Sequence, residues 1–392
     1  MKNKMSNVLK FFAIFLFLKA GSAFAVITCY INTNTVKTFT TTLNSTISAS
    51  ADLPVGSVIY SATLGSAWTD YLVCDANWSL TMKYKTKDTG DSWRLSNPPY
   101  SPGDYYPTNV PGIGYMLVAP SGATGTKNTV TGATPLTDNT WGNTAGNGRS
   151  YGMRIYVILI KTAPGPASGS INASTFHSVK YYAPPATGYA FKSGPGNDGD
   201  GLTLAVFNFL GNINVQAPAC EVDNQKVRIG EHIISQEMKT VGSTTSWYDA
   251  SVMLKNCANF TGYYSTDSTG QFTNGSGTAS GGTLQQNLFS ISVNAVSGAT
   301  SQGYITLTDP VGNANQAATG YALQLGYTPD NINASPTQPT KIWKPGDNWT
   351  IPVPFNATGT LKIPLAARLI RTQQSVTPGP ADAKVVVSIS YK

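Results

Sequence analysis

Short runs of β-branched and aromatic residues, each closed by Gly, Pro, Asn or Asp, recur from one end of this 392-residue chain to the other. They fall at 55–62, 71–74, 79–85, 114–118 and 153–161, and again at 251–255, 288–293, 304–308, 321–327, 350–354, 360–363 and 385–391. Several alternate with a period of two: Arg154, Tyr156, Ile158 and Ile160 take one face, and Ile155, Val157, Leu159 and Lys161 the other. No long amphipathic helix competes with them. Only 11% of the residues are charged, against about 25% in an average soluble protein. The 41% hydrophobic content supplies real cores, and 38 Gly with 24 Pro supply turns. The expected fold is all-β, two immunoglobulin-like/jelly-roll-type β-sandwiches in tandem. Gln216-Ala217-Pro218-Ala219 is short and stiff, and it divides the chain into 26–215, a linker at 216–219, and 220–392. Within the second part, residues 263–282 are Ser/Thr/Gly-rich and read as a long solvated hairpin tip.

Residues 1–25 read as a secretory signal peptide: Lys2, Lys4 and Lys10, an apolar run at 11–18, then small residues ending Ala23-Phe24-Ala25. Cleavage after Ala25 leaves Val26 as the first mature residue, and cleavage after Ala23 leaves Phe24. Losing this segment removes four lysines and no acids, so the formal charge of +7 falls to +3. That is too little, and too scattered, for a nucleic-acid partner. Four cysteines remain in an oxidising compartment, Cys29 and Cys74 early, Cys220 and Cys257 late. Of three connectivities, Cys29–Cys74 with Cys220–Cys257 is the simplest.

The usual catalytic groups are scarce, with Glu221, Glu231 and Glu237 the only glutamates and His177 and His232 the only histidines. No phosphate-binding, nucleophile-elbow or zinc-protease motif occurs. The acid pairs Asp88/Asp91 and Asp198/Asp200 lie in Gly-containing loops. The stretch from Pro195 to Gly201 has the look of a calcium loop but lacks its closing Glu. The reading is a non-enzyme without metal or cofactor. What remains is hydrogen-bonding and stacking chemistry suited to sugars, in loops rich in Asp, Asn, Tyr and Trp at 75–78, 93–106, 141–151 and 181–200.

The end of the chain carries a more specific pattern. Val385, Val387, Ile389 and Tyr391 line one face of a terminal strand, Tyr391 is penultimate and Gly379 stands fourteenth from the end. With Cys220 opening the second half and Cys257 following 251–256, this resembles the pilin domain of chaperone–usher fimbriae. The resemblance implies an incomplete sandwich lacking its last strand. Its groove would be filled first by a periplasmic chaperone and later by the N-terminal extension of an adjacent fimbrial subunit, with an outer-membrane usher assembling the fibre. Gly379, Val385, Val387, Ile389 and Tyr391 would be the assembly residues.

A whole β domain ahead of that pilin part is similar to the two-domain tip adhesins of these fimbriae, the mannose-binding type 1 adhesin and its galactose-binding relatives among them. The resemblance implies export through the periplasm to the fimbrium tip and adhesion to a host glycan or glycoprotein through a lectin-like first domain. A tip adhesin for a host matrix protein, or a purely structural subunit, are the alternatives. In the related lectins the site is built from the mature N-terminus, the loop after the second cysteine and a late loop. Here those supply Val26, Asp75, Asn77, Asn197, Asp198 and Asp200 for hydrogen bonds, with Trp78, Tyr182 and Tyr189 as stacking faces. Asp75-Ala76-Asn77 differs in order from the mannose binder's Asn-Asp pair, so no sugar specificity is carried over.

Overall fold

The structure, a computed structural model, describes residues 25–68, 72–87, 92–101, 103–121, 125–149, 151–309 and 316–392. The export segment up to residue 24, and both Asp88 and Asp91, lie outside the described residues. Apart from a helical turn at Ile234–Glu237 and a 3-10 turn at Ala173–Thr175, the regular elements of the described residues are strands.

The alternating run near residue 155 becomes the strand Tyr151–Lys161 at the centre of a seven-stranded sheet. It pairs antiparallel with Val58–Trp68 on one side and Ile113–Ser121 on the other. Ile155, Val157 and Leu159 point into the main core with Tyr60, Tyr181 and Phe207. Tyr156, Ile158 and Ile160 point the opposite way, into a smaller cluster with Met116 and Val118 that Leu95, Tyr100 and Tyr105 cover. A strand buried on both faces needs apolar residues at every position, and this one has them from Ile155 to Ile160. The loop at 93–106, a sequence candidate for sugar contact, therefore supplies a cover for the outer face of this sheet. Facing the sheet across the core is a six-stranded one, in the order Leu136–Asn143, Trp78–Thr86, Val179–Ala183, Leu202–Leu210, Lys37–Thr42 and Gly277–Thr278.

That last pairing corrects the reading of residues 263–282. Instead of a solvated hairpin tip, they form an arm that reaches from the second half of the chain onto the first sandwich. Gln271–Asn274 adds a parallel strand to Val58–Trp68, at the edge of one sheet. Gly277–Thr278 adds a parallel bridge to Lys37–Thr42, at the same side of the other. The arm thus closes one open side of the sandwich and satisfies the edge backbone of both layers. Side chains fix it in place: Tyr60 Oη donates to Gln271 Oε1 at 2.7 Å, Ser61 Oγ donates to the Thr266 carbonyl, and Lys127 pairs with the nearly buried Asp267 at 2.5 Å. At the base of the arm, Thr283 N donates to the Thr269 carbonyl at 2.6 Å.

A second core forms around Phe260, Phe289, Ile291, Trp343 and Ile351. The strand Val385–Tyr391 pairs antiparallel with Leu288–Ala295 over its whole length and is the outer strand of its three-stranded sheet. Val385, Val387, Ile389 and Tyr391 pack against this core yet stay only partly buried. Both disulfides are local, Cys29–Cys74 and Cys220–Cys257, with sequence separations of 45 and 37. Loops of that length are worth about 3–4 kcal/mol each in the chain-entropy account.

Because Thr283 N already bonds the Thr269 carbonyl, residues 270–282 can be excised and the two residues joined, which takes only Ala279 out of the first core. Amide exchange in Lys37–Thr42 and at residues 62–65 is expected to rise about tenfold or more. Unchanged exchange at both edges contradicts the edge-covering role of the arm.

Candidate functional site

The first sandwich has a defined near end and far end. Leu202–Leu210 runs into Asn212–Gln216, whose Gln216 pairs with Ser48 immediately ahead of the linker. Thr203, at the other end of this path, lies beside Tyr182, and Tyr182 beside Lys83. Trp78 begins the same strand five residues earlier, about 17 Å farther from the linker at ~3.4 Å per residue.

At that far end the disulfide organises a small ribbon. Ile27–Ile31 pairs antiparallel with Leu72–Cys74, setting Cys29 opposite Cys74, and parallel with Tyr189–Phe191. Asp75 continues the pairing with its side chain: Thr28 N donates to Asp75 Oδ1 at 2.8 Å, and Asp75 N donates to the Thr28 carbonyl at 3.1 Å. Tyr189 Oη accepts from Ser79 N at 2.9 Å and donates to the Ser79 carbonyl at 3.0 Å. Asn77 Oδ1 accepts from Ala145 N at 3.0 Å, and Gly146 N donates to the Cys74 carbonyl at 2.9 Å. Val26 is 56% exposed beside this ribbon. The far end therefore brings Val26, Asp75, Asn77 and Tyr189 together, and joins to them the turn at 143–149. Asp75 and Asn77 are exposed. Among the described residues, Asp75 Oδ2 and the Asn77 amide nitrogen have no intramolecular partner.

The 143–149 turn is tied into itself. Thr144 N donates to Asn143 Oδ1 at 2.9 Å, and Asn147 Nδ2 donates to Thr144 Oγ1 at 2.7 Å. The Arg149 guanidinium lies 4.8 Å from the Trp141 ring centroid, a cation–π contact that presents both a charge and an aromatic edge. Beneath it, Trp141 Nε1 donates to Tyr181 Oη at 2.9 Å, and Tyr181 Oη donates to the buried Asp138 Oδ2 at 2.9 Å. Burial pushes the Asp138 carboxyl up and the Tyr181 phenol well up.

Other expected site residues sit elsewhere or face inward. Trp78 and Tyr182 are each only 4% exposed, so neither ring is offered as a stacking face. Asn197, Asp198 and Asp200 spend their side chains on holding the late loop in place. Asn197 Nδ2 donates at 3.0 Å to the carbonyl of Phe191, in the far-end ribbon, while the two acids turn to lysines of the adjoining sheet. Lys180 Nζ lies 3.2 Å from Asp198 Oδ2 and 2.7 Å from Asp200 Oδ2, and Lys85 Nζ lies 2.7 Å from Asp200 Oδ2. Thr203 Oγ1 donates to Asp198 Oδ2 at 2.8 Å. The two acids thus neutralise two lysines on adjacent strands. The loop's tightness needs glycine: Gly201 has φ +134°, and a Cβ there would lie 2.1 Å from the Ala183 carbonyl oxygen. Gly379, expected among the assembly residues, lies outside the terminal strand. A Cβ there would lie 2.7 Å from the Gln316 carbonyl oxygen, which makes it a close-packing position.

Hydrogen bonds from Lys180 and Lys85 hold the Asp200 carboxyl down at about 2. A depressed carboxylate contributes stability above its ordinary value near 4, and loses it as pH falls through about 2. The Asp200 side chain is 48% exposed, so screening leaves roughly 0.5 kcal/mol. Asp200→Asn is expected to lower the calorimetric midpoint by about 1–2 °C at pH 6. The gap from wild type should narrow as pH falls from 4 to 2; a constant gap contradicts the ion-pair assignment.

No protein-family model matches the chain, and no curated protein matches it. Among solved structures it is similar to the CupB6 tip adhesin from Pseudomonas aeruginosa, with 14% identity, 87% of this chain and 88% of that chain covered, and a TM-score of 0.31. It is also similar to the receptor binding domain of the plasmid-born adhesin MrkD1P of Klebsiella pneumoniae, with 23% identity, 50% and 99% covered, and a TM-score of 0.28. A third likeness is to the CsuC–CsuE chaperone–tip adhesion subunit pre-assembly complex of Acinetobacter baumannii, from archaic chaperone-usher Csu pili, with 13% identity, 90% and 99% covered, and a TM-score of 0.24. With TM-scores of 0.31 and below, none of these likenesses fixes the function of this chain.

Proposed function

We propose that this chain is a fimbrial tip adhesin: its second sandwich is completed by a strand from another protein, and its first binds a host glycan at the far end. The observation that carries this reading is the unpaired outer edge of Val385–Tyr391. That strand presents apolar residues at every second position, half-buried and facing the second core. In the same half of the chain Val222, in the short strand Glu221–Val222, and Val227 and Ile233, in the irregular segment after it, are 49%, 39% and 56% exposed. A sandwich that leaves apolar core and backbone groups open on one side favours β-augmentation by an extended segment. A periplasmic chaperone and an adjacent subunit would take that place in turn, with an usher exporting the complex. Among the described residues no helix is long and apolar enough to cross a membrane.

The glycan reading is supported by the exposed Asp75, Asn77 and Asn143–Arg149 surface. A sugar presents adjacent hydroxyls that each need a directional partner after desolvation. Acid, amide, guanidinium and a partly exposed Trp141 edge within one small surface meet that need.

Two measurements test the proposal. Refolding the full chain with a synthetic peptide of alternating valine and threonine, solubilised by a lysine tail, should suppress aggregation and raise the thermal midpoint by about 10 °C. Ile389→Asp should abolish that gain; equal behaviour with and without peptide contradicts strand completion. On a glycan array the completed chain should bind, and Asp75→Ala and Asn77→Ala should each weaken binding about tenfold or more, the scale of one lost hydrogen bond to a charged or desolvated group. An array without binding contradicts the glycan reading.

A further inference from the structure

The hydrogen-bond phase of the terminal strand decides which of its backbone groups stay open. Leu288 N donates to the Lys392 carbonyl at 2.6 Å and Lys392 N to the Leu288 carbonyl at 2.8 Å, while Val296 N donates to the Lys384 carbonyl at 2.9 Å. In an antiparallel pair such exchanges recur at every second residue. Val386, Ser388 and Ser390 therefore spend their N–H and C=O groups on the Leu288–Ala295 strand. Val385, Val387, Ile389 and Tyr391 point theirs at the opposite, unpaired edge.

Three of these four positions have no partner there among the described residues. The fourth has one from the first sandwich: Tyr391 N donates to Asp52 Oδ2 at 2.9 Å. Asp52 belongs to a tightly held loop. Ala49 N donates to the Gln216 carbonyl at 2.7 Å, and the fully buried Lys161 sends its Nζ to the Ser50 and Ala51 carbonyls at 2.5 and 2.7 Å. Tyr391 is anchored as well, by ring contacts with Phe289 and Phe260 and by Oη to the Cys220 carbonyl at 3.4 Å.

We propose that Asp52 is a register stop: it occupies the last rung of the open edge, so that an incoming strand pairs with Val385, Val387 and Ile389 and ends there. The need for a stop follows from the period of a strand. A slip by one residue turns every apolar side chain of the incoming segment away from the core and is rejected by burial alone. A slip by two residues preserves the faces, and only something at the end of the edge opposes it. The Asp52 carboxylate takes the Tyr391 N–H and places a charge where a partner's carbonyl would have to lie.

This inference rests on strand completion of the second sandwich, and the experiment separates the two. The full chain and its Asp52→Ala and Asp52→Asn variants are refolded with the lysine-tailed valine–threonine peptide in two lengths, one spanning three rungs and one longer by a single Val-Thr repeat. In wild type the extension should leave the peptide's dissociation rate unchanged. In Asp52→Ala it should slow dissociation about tenfold, and Asp52→Asn, which keeps an acceptor oxygen, should resemble wild type. Without peptide, the Tyr391 amide should exchange at least tenfold faster in Asp52→Ala, which reads the contact independently of any ligand. An extension that helps all three proteins equally, or a Tyr391 amide indifferent to Asp52, overturns the register stop. Failure of both peptides to bind any of the three proteins overturns strand completion itself and the stop with it.

Discussion

An edge strand carries a row of backbone N–H and C=O groups that must find partners in protein, in water or in another chain, and that demand shapes both halves of this molecule. In the first sandwich the arm answers it: Gln271–Asn274 covers one sheet edge and Gly277–Thr278 the other. In the second sandwich nothing among the described residues covers the outer side of Val385–Tyr391 except Asp52 at its end. One chain thus closes one side of its first sandwich and leaves an edge of its second open. The arm and the Asp52–Tyr391 contact also tie the two bodies to each other at separate places. A linker of a few residues would not by itself hold them in one orientation.

The far end depends on a different constraint. With Cys29 bonded to Cys74, the start of Ile27–Ile31 and the residues after Leu72–Cys74 are forced together, and Asp75 and Asn77 use one oxygen each to fix neighbouring loops. Their remaining polar atoms point outward from a rigid frame. That is the arrangement a binding surface needs, because little ordering entropy is left to lose on binding.

Much of this was legible in the sequence. The period-two run at 153–161 marked a strand, which the structure puts at the centre of its sheet, and two early and two late cysteines favoured the local pairing that the structure has. Trp78 was misread from its turn-like neighbours, although Trp78, Leu80, Met82 and Tyr84 carry a period of two that places all four inward. The arm was hidden for a physical reason: its strands are short, polar and parallel to distant partners, so neither length nor alternation distinguishes them from a loop. Asp198 and Asp200 looked like free carboxylates because Lys85 and Lys180, which neutralise them, come from strands far away in sequence. Asp52 carries no signal of its contact in the sequence, since the amide it accepts from lies 339 positions away.

The central claim is that the terminal strand is paired on one side and open on the other. Residue-resolved hydrogen exchange of the full chain, alone in solution, tests it most directly. An alternating pattern is predicted: slow exchange at Val386, Ser388 and Ser390, fast exchange at Val385, Val387 and Ile389, and protection again at Tyr391. Uniform protection from Val385 to Tyr391 would mean that the edge is already covered, and would contradict the account.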